Sequence, residues 1–421
     1  MNKCLILLTS CFPFDNKETF LENEINFLSK SFDKIIILAQ ELSPSVTKAR
    51  RIPENSDAYN ISEKKKQYAR YGDILRGGLK FFSPSDACKS DKDRIGKSIS
   101  KKVFCEYFEQ RSQRQFKESI NILKKYNFSD FDEIVIYSYW FFANCRTGIL
   151  IKKYFESQGL NAKVYSRAHG YDLYDYVNKL NYLPLRAYMA RDVEKVFTCS
   201  QNGCNYLKAM IPEYSDKIKC SYLGTFDNGL SSYDKTFHFV TCSRTVEVKC
   251  LDRLVDAIAS LKDSVGEVYW THIGDGPLQD KIKALCEEKL DFMNYEFVGN
   301  LTYSQVKEYY KTHPVNLFIN ASRSEGLPVS IMEALSFGIP ILATNVGGTN
   351  EIVHDGINGY LLEKDYTNEE FIEKFKLFYN AEEEKYKTLR SNARRVWETK
   401  FNAEDNYPKF CSLISGEEIN V

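Results

Sequence analysis

The sequence of 421 residues has no excess of charge of either sign, no long apolar run and only five histidines. Its 57 basic and 57 acidic residues balance, which disfavours a dedicated nucleic-acid binder. No apolar run reaches the roughly 18–20 residues of a membrane-spanning helix, so we do not expect an integral membrane protein. A hydrophobic content of 43% excludes global disorder. At roughly 150 residues per domain, the length predicts two or three domains.

The twelve cysteines form no Cys-x-x-Cys pair and have no cluster of histidines beside them. Several, such as Cys199 and Cys242, lie inside apolar runs, where cysteine acts as a small hydrophobic residue. We therefore expect reduced, buried thiols in a cytosolic protein, without disulfides or a zinc site. The apolar stretch Cys4–Leu8 is too short for a signal peptide, so it is predicted to be the first β-strand.

Charge is distributed unevenly along the chain. The first 235 residues have an excess of basic side chains, and the remaining residues have an equal excess of acidic ones. We favour a solvated, lysine-rich insertion as the source of much of the basic excess. The alternative is a face attracted to anionic lipid, to which each nearby basic residue contributes about 1 kcal/mol. The basic residues concerned include Lys64, Lys65, Lys66, Arg70, Arg76 and Lys80.

Short apolar runs alternate with amphipathic helical segments along both halves of the chain. Such alternation predicts an α/β fold with parallel sheets covered by helices on both faces. The pattern breaks at Leu223–Lys235, so we predict two doubly wound units, 1–225 and 236–395, with a cleft between them in which a ligand binds at the carboxyl ends of strands. Residues 43–100 are predicted to be an irregular insertion, and 396–421 a terminal helical segment. Within it, Trp397 and Phe401 are expected to pack on the first unit.

Residues 323–353 contain the densest cluster of functional residue types. A predicted strand leads into a loop and a helix that begins near Pro328, and proline suits a first helical position. The free N–H groups of Leu327, Val329 and Ser330 would then form a phosphate site.

Two glutamates flank this turn. Glu325 precedes the helix and Glu333 lies eight residues later, so they would contact different parts of one extended ligand. Glu333 suits a hydrogen bond to a ribose diol, as acidic residues in dinucleotide sites do. Helix capping could explain Glu325, but it does not explain Glu333 beside Gly338 and the Gly347-Gly348 pair.

With these residues in view, the sequence resembles the retaining glycosyltransferases of family GT4, of the bacterial surface-polysaccharide type. In the second half the resemblance depends on Glu325–Ala334 (EGLPVSIMEA), Gly338–Glu351, Gly356–Gly359, Ser243-Arg244 with Lys249, Gly274–Pro277 and Phe297–Gly299. In the first half it depends on Phe12-Pro13, Glu18–Glu24 and Arg167–Asp172. It implies a GT-B fold, in which two Rossmann-like domains face a central cleft and a C-terminal helix crosses back to the first domain.

The resemblance also implies roles for individual residues. In the second domain, Arg244 and Lys249 would hold the donor diphosphate, Glu333 the ribose, and Glu325 the sugar hydroxyls. In the first domain, which would hold the acceptor, His169 would reach over the reacting carbon. The other implied binding residues are Gly326, Leu327, Pro328, Val329, Gly276, Val298, Asp172 and Gly224.

Each motif has a structural alternative. Arg244 and Lys249 could be a solvated pair, the Gly274–Pro277 turn an ordinary β-turn, and His169 a core histidine. Against these, two cations at a strand end can neutralise a leaving diphosphate without a metal. A neutral histidine can hydrogen-bond a sugar or a departing phosphate.

The sequence departs from the family pattern at two places. Leu223-Gly224-Thr225 stands where the family has Asn-Gly, so backbone contacts from Gly224 survive but an Asn side-chain contact does not. The opening loop has Asp15-Asn16-Lys17 in place of a double glycine. No Asp-x-Asp lies between apolar strands, which disfavours a metal-dependent transferase with a single lobe.

The sequence therefore predicts an enzyme that moves a sugar from a nucleotide-diphosphate sugar to an acceptor with retention, without metal or cofactor. UDP-sugar is favoured over GDP-sugar as donor, and a lipid-linked or surface glycan is the expected acceptor. No nucleic-acid partner is expected, and the expected location is the cytoplasm, including the inner face of the plasma membrane. Two alternatives stay open: a nucleotide-sugar 2-epimerase on the same fold, and a non-catalytic nucleotide-sugar-binding partner of another transferase.

Overall fold

The computed structural model of the protein describes residues 2–15, 18–42, 46, 49–61 and 84–416. The chain divides into two compact units, the first formed by Met1–Ser221 with Tyr407–Val421 and the second by Tyr222–Asn406. All the basic residues named for the anionic-lipid alternative lie outside the described residues; they are Lys64, Lys65, Lys66, Arg70, Arg76 and Lys80.

A parallel β-sheet forms the centre of the first unit. Its described strands are β1 (Lys3–Thr9), β2 (Lys34–Ala39), β3 (Ser56–Asn60), β4 (Glu133–Ser138), β5 (Ala162–Ala168), β6 (Lys195–Thr198) and β7 (Ile218–Cys220). Their order in space is β3-β2-β1-β4-β5-β6-β7. Alternate residues of β1 enter two different cores, with Ile6 and Leu8 on one face and Leu5 and Leu7 on the other. Burial on both faces is why the central residues of this strand, Cys4–Leu8, are all apolar.

Helices cover both faces of this sheet. In the described part of the first unit they are α1 (Phe20–Ser31), α2 (Asp86–Ser90), α3 (Lys92–Ile95), α4 (Ile99–Leu123), α5 (Ala143–Ser157), α6 (Arg186–Asp192) and α7 (Gln201–Met210). Helix α1 packs on the face that buries Leu5 and Leu7, and α4 and α5 pack on the opposite face.

The second unit repeats this plan. Its strands are β8 (Phe237–Cys242), β9 (Val268–Ile273), β10 (Asn294–Gly299), β11 (Leu317–Asn320), β12 (Ile341–Thr344) and β13 (Gly359–Leu362). They form a parallel sheet in the order β10-β9-β8-β11-β12-β13. Its helices are α8 (Leu251–Ala259), α9 (Gln279–Lys289), α10 (Tyr303–Thr312), α11 (Val329–Ser336), α12 (Thr349–Ile352), α13 (Asn368–Tyr379) and α14 (Glu383–Lys400). Because the strands of this sheet are parallel, the loops that follow β8, β11 and β12 lie at one edge.

Two parallel sheets covered by helices confirm the predicted α/β fold class. The prediction of an irregular insertion at 43–100 is wrong in part, because Ser56–Asn60 pairs in register with β2 and Asp86–Ser90 is helical. The alternation also missed β7 and β13, which have only three and four residues.

The predicted domain boundaries need correction. Leu223–Lys235 belongs wholly to the second unit. Trp397 and Phe401 belong there too, because the Trp397 indole donates to Thr225 Oγ1 at 2.8 Å and the Phe401 carbonyl accepts from the Thr225 N–H at 3.0 Å.

The chain returns to the first unit inside its last described helix, α15 (Ala403–Ser415). Residues up to Asn406 belong to the second unit, and Tyr407 begins the return to the first. The Phe410 ring lies 5.2 Å from that of Tyr137 and is part of the hydrophobic core that contains Leu5 and Leu7. No helix within the described ranges combines the length and the apolar character that crossing a bilayer requires.

Candidate active site

The strongest contact among the predicted site residues joins Lys249 to Glu325. Lys249 follows β8 and Glu325 follows β11, and these strands are neighbours in the sheet of the second unit. The Lys249 ammonium donates to Glu325 Oε1 at 2.7 Å, with side-chain exposures of 22% and 11%. Asn320, the last residue of β11, donates from Nδ2 to the same oxygen at 3.3 Å. The carboxylate of Glu325 is thereby held at the carboxyl edge of the sheet.

The predicted glycine pair fixes the backbone of this glutamate. Gly347 has φ +55°, and a Cβ there would lie 1.8 Å from the Glu325 carbonyl oxygen, so only glycine fits. The Gly348 N–H donates to the Gly326 carbonyl at 3.0 Å. The loop after β12 therefore supports the loop after β11 directly.

Helix α11 begins immediately beyond this loop. Pro328 is the capping residue, with φ −75° and ψ 108°, and not the first helical residue that the sequence predicts. Its carbonyl accepts from the Ile331 N–H at 3.1 Å. Within the described residues, the N–H groups of Leu327, Val329 and Ser330 donate to no protein acceptor. Such donors at a helix start are suited to binding an anion, so the phosphate site stays a prediction.

Glu333 lies one turn inside α11 and is half-buried. No residue of the described segments donates a hydrogen bond to its carboxylate. Burial raises the pKa of Glu333 to about 7, and the positive charge of Lys307 on α10 acts in the opposite direction. The carboxyl group is therefore a poorly solvated acceptor near neutral pH, as a group that binds a diol would be.

The loops after β8 and β9 are joined by backbone contacts. Arg244 is exposed in the first of them. The Thr245 N–H donates to the Asp275 carbonyl at 3.1 Å, and a Cβ on Gly276 would lie 2.5 Å from the Thr245 carbonyl oxygen. Gly276 therefore allows the loops after β8 and β9 to approach each other closely. Val298, in edge strand β10, is half-buried.

The sequence analysis did not identify the residues that Thr245, in the loop after β8, contacts through its side chain. Thr245 Oγ1 donates to Gln279 Oε1 at 2.7 Å and lies 3.3 Å from the Nε2 atom of His272. Burial lowers the pKa of His272 to about 4, so it is neutral. His272 and Gln279 are separated from Thr245 by about thirty residues, and no motif signalled the contact.

Gly224 has a packing role that the sequence did not predict. A Cβ at this position would lie 2.5 Å from the Ala403 Cα atom. The glycine is therefore required where the start of α15 crosses the backbone of residues 223–225.

In the first unit, both ring nitrogens of His169 already have partners. Nε2 lies 3.1 Å from the Tyr139 carbonyl oxygen, and Nδ1 lies 3.0 Å from the Cys199 sulfur. A carbonyl can only accept, so Nε2 donates and Nδ1 accepts from the thiol. Burial is the main cause that lowers the pKa of His169 to about 3. The predicted hydrogen bond from this imidazole to a sugar is therefore not available in this conformation.

Asp172, a predicted substrate contact, is fully buried. Its two oxygens accept from the backbone N–H groups of Phe141 and His169, both at 2.9 Å. Burial is the main cause that raises its pKa to about 6. The prediction is wrong for this residue, which instead connects the loops after β4 and β5.

The chain is similar to known proteins over much of its length. Residues 225–396 match the model of a family described as glycosyl transferases group 1. An uncharacterized glycosyltransferase of Methanocaldococcus jannaschii is 34% identical over 149 residues, which are 35% of this chain and 40% of the relative. The alpha-monoglucosyldiacylglycerol synthase of Acholeplasma laidlawii is 26% identical over 218 residues, 52% of each chain. The chain thus spans about half the length, or less, of these curated relatives.

Solved structures extend the likeness to nearly the whole chain. The Anabaena protein Alr3699/HepE, crystallised in complex with UDP, superposes with a TM-score of 0.65 at 16% identity. The match covers 98% of this chain and 100% of the Anabaena chain. At this identity the likeness shows the fold, which is that of the two-domain GT-B proteins.

Proposed function

We propose that the protein is a retaining glycosyltransferase that uses a nucleotide-diphosphate sugar, with a UDP-sugar as its donor. One observation supports this most directly. The Glu325 carboxylate is held by Lys249 and Asn320 beside three N–H groups that have no protein acceptor among the described residues. A carboxylate for sugar hydroxyls, a cation and an anion-binding helix start therefore occupy one edge of one sheet. The group 1 match covers these residues.

Each of these groups has a task in the proposed reaction. The N–H groups of Leu327, Val329 and Ser330 bind the donor phosphates. Lys249, which is paired with Glu325, and the exposed Arg244 stabilise the charge that develops on the leaving diphosphate. Two cations in this position make a metal ion unnecessary, so we propose a metal-independent reaction.

Glu333 binds the ribose in this scheme. It lies on α11, beyond the phosphate-binding turn. When its carboxylate is ionised, it accepts hydrogen bonds from both ribose hydroxyls. Glu325 accepts from the hydroxyls of the transferred sugar, which orients its anomeric carbon.

Retention follows from front-face attack, in which the acceptor hydroxyl approaches the anomeric carbon on the side from which the diphosphate leaves, so no separate base is required. The departing diphosphate oxygen takes the proton of the acceptor hydroxyl as the new glycosidic bond forms. His169 does not take this proton, since a pKa of about 3 makes it a weak base and both its ring nitrogens already have partners. Its imidazole instead fixes the loop after β5 through Tyr139 and Cys199.

The acceptor is proposed to be a glycan, either lipid-linked or at the cell surface. A relative named as a monoglucosyldiacylglycerol synthase makes a lipid-linked acceptor chemically reasonable. That the protein acts at the inner face of a membrane also stays a prediction.

A thermal-shift screen tests the donor. Bound ligand raises the apparent stability by mass action, so UDP and a UDP-sugar should raise the melting temperature more than GDP or ADP. Glu325→Gln should remove the part of the shift due to the sugar, while Glu288→Gln, an exposed control in α9, should leave it unchanged. A larger shift with GDP would contradict the choice of donor.

Product analysis separates the alternatives. A transferase releases UDP only as an acceptor is glycosylated, apart from slow hydrolysis. An epimerase converts the UDP-sugar without any acceptor, and a non-catalytic partner binds the nucleotide without turnover. Conversion of the donor to its epimer would refute the proposal.

A further inference from the structure

An aromatic pair lies at the carboxyl edge of the sheet in the first unit, outside the residues used above. Trp140 follows β4 and Tyr171 follows β5, which are neighbouring strands. Their ring centroids are 4.7 Å apart with an interplanar angle of 34°. Trp140 is half-buried, whereas Tyr171 is 47% exposed. The two rings pack against each other, and the Tyr171 ring is the more exposed of the two.

Hydrogen bonds hold Trp140 in place. Its indole N–H donates to Glu18 Oε1 at 2.5 Å, and its carbonyl accepts from Ser138 Oγ at 2.7 Å. Its ring also lies 4.6 Å from that of His169. An indole fixed at both its side chain and its backbone loses little conformational entropy when a ligand binds.

Glu18 fills the anion site of the loop after β1. Besides the indole, its carboxylate accepts from the N–H groups of Ser10 at 2.9 Å, Cys11 at 2.7 Å and Phe12 at 2.6 Å. These three successive N–H groups would otherwise attract a phosphate. With the glutamate bound to them, they offer nothing to an anionic ligand.

The charges around Tyr171 point the same way. Burial raises the pKa of the Tyr171 hydroxyl, and the negative charges of Asp172, Glu41 and Glu18 raise it further. Three carboxylates therefore lie close enough to Tyr171 to act on its hydroxyl. Arg111, the nearby guanidinium, is paired with Glu41. A surface with carboxylates and a compensated cation repels an anion and accepts a neutral polyol.

We propose that the exposed Tyr171 ring, supported by the Trp140 ring beneath it, forms a platform on which the ring of a neutral acceptor sugar stacks. The apolar C–H face of a pyranose fits an exposed aromatic face, and its hydroxyls stay accessible to the polar surroundings. The acceptor would thus present an uncharged sugar here, not a phosphate or an acidic sugar. This inference rests on the proposed function, which it deepens by naming the acceptor class.

Tryptophan fluorescence of the full chain tests the platform without turnover. The chain has three tryptophans, and Trp270 and Trp397 are fully buried, so quenching by acrylamide reports on Trp140. The probes are neutral methyl glycosides of glucose, galactose and N-acetylglucosamine, with glucose 1-phosphate as the anionic counterpart. We expect at least one neutral glycoside to protect Trp140, and glucose 1-phosphate to protect it less.

Variants at Tyr171 identify the contact. Tyr171→Ala should weaken binding about tenfold, the effect of one aromatic contact, and Tyr171→Phe should retain it, because stacking uses the ring. Tyr176→Ala, at a tyrosine that is 56% exposed, is the matched control and should bind like the wild type. Equal weakening by Tyr171→Ala and Tyr171→Phe, or no weakening by either, would overturn the platform.

The same experiment separates this inference from the proposed function. If UDP raises the melting temperature and the donor is turned over, but no glycoside protects Trp140, only the platform is wrong. If glycosides protect Trp140 and no nucleotide stabilises the protein, the platform stands and the proposed donor chemistry fails. Stronger protection by glucose 1-phosphate than by every neutral glycoside would refute the acceptor class.

Discussion

Glu333 offers the sharpest quantitative test, because its carboxyl group lies where ionisation is unfavourable. Burial raises its pKa from the ordinary 4.5 to about 7. Between these values the folded protein keeps a proton that the unfolded chain has lost. Stability therefore falls as pH rises through this window. At 1.36 kcal/mol per pKa unit, the total loss is about 3 kcal/mol.

Glu333→Gln removes this dependence, since an amide does not titrate. The difference in unfolding free energy between variant and wild type should therefore grow in favour of the variant from pH 4.5 to about 7 and then level off. The attraction of Lys307 is already included in the pKa of about 7, so the gain should approach the value of about 3 kcal/mol given by that shift. UDP should show the opposite preference: its affinity for the wild type rises over the same window, because the ionised carboxylate accepts the ribose hydroxyls.

The assay is urea unfolding at about pH 5 and about pH 8. A Trp140→Phe background leaves Trp270 and Trp397, both in the second unit, as the only tryptophans, so fluorescence reports on that unit alone. Glu288→Gln, at an exposed position, is the control and should show no such growth. The difference in unfolding free energy between Glu333→Gln and the wild type could prove as independent of pH as that of the control. That result would refute the assignment of Glu333 as a desolvated carboxyl group that binds the nucleotide.

Three further outcomes are expected. Glu325→Ala and Lys249→Ala should each lower turnover by at least about 10²-fold with an unchanged circular dichroism spectrum, since each removes stabilisation of developing charge; near-wild-type rates would contradict their roles. Gly347→Ala should abolish activity and lower the melting temperature, because its Cβ would overlap the Glu325 carbonyl oxygen. Gly356 also has a positive φ, but the space around it is open, so Gly356→Ala should reduce activity and melting temperature far less. EDTA should leave the transfer rate unchanged, and complete loss in EDTA would argue for a required metal ion.

Most of the strands that were predicted correctly are buried along nearly their whole length, and β10 is an exception. Residues of β1 such as Leu5 and Ile6 are buried on opposite faces, so the positions from Cys4 to Leu8 are all apolar and the strand is recognisable in the sequence. β3 (Ser56–Asn60) shows only one fully buried residue and lacks that signal. β7 is too short to be distinguished from a turn.

The candidate site was predicted as a set of residues but not as a set of contacts. Lys249 and Glu325 lie 76 residues apart, and only the adjacency of β8 and β11 brings them together. The same limit applies to His169, whose partner Cys199 lies in the next strand's loop. Local sequence indicates which groups are present at strand ends. Sheet order, which depends on the packing of the whole unit, decides which of them meet.

Helix α15 begins in the second unit and ends in the first. This affects how the chain folds during synthesis and how it can be divided into fragments. Phe410 stacks over the Arg167 guanidinium at 4.0 Å, and the Ser415 carbonyl accepts from the Lys3 ammonium at 2.8 Å. During synthesis, the sheet of the first unit therefore lacks this covering segment until residues 407–416 have been made. A fragment that stops at residue 221 would expose aromatic side chains, such as Tyr137, on which Phe410 packs. An independent amino-terminal half would need residues 407–416 restored through a linker.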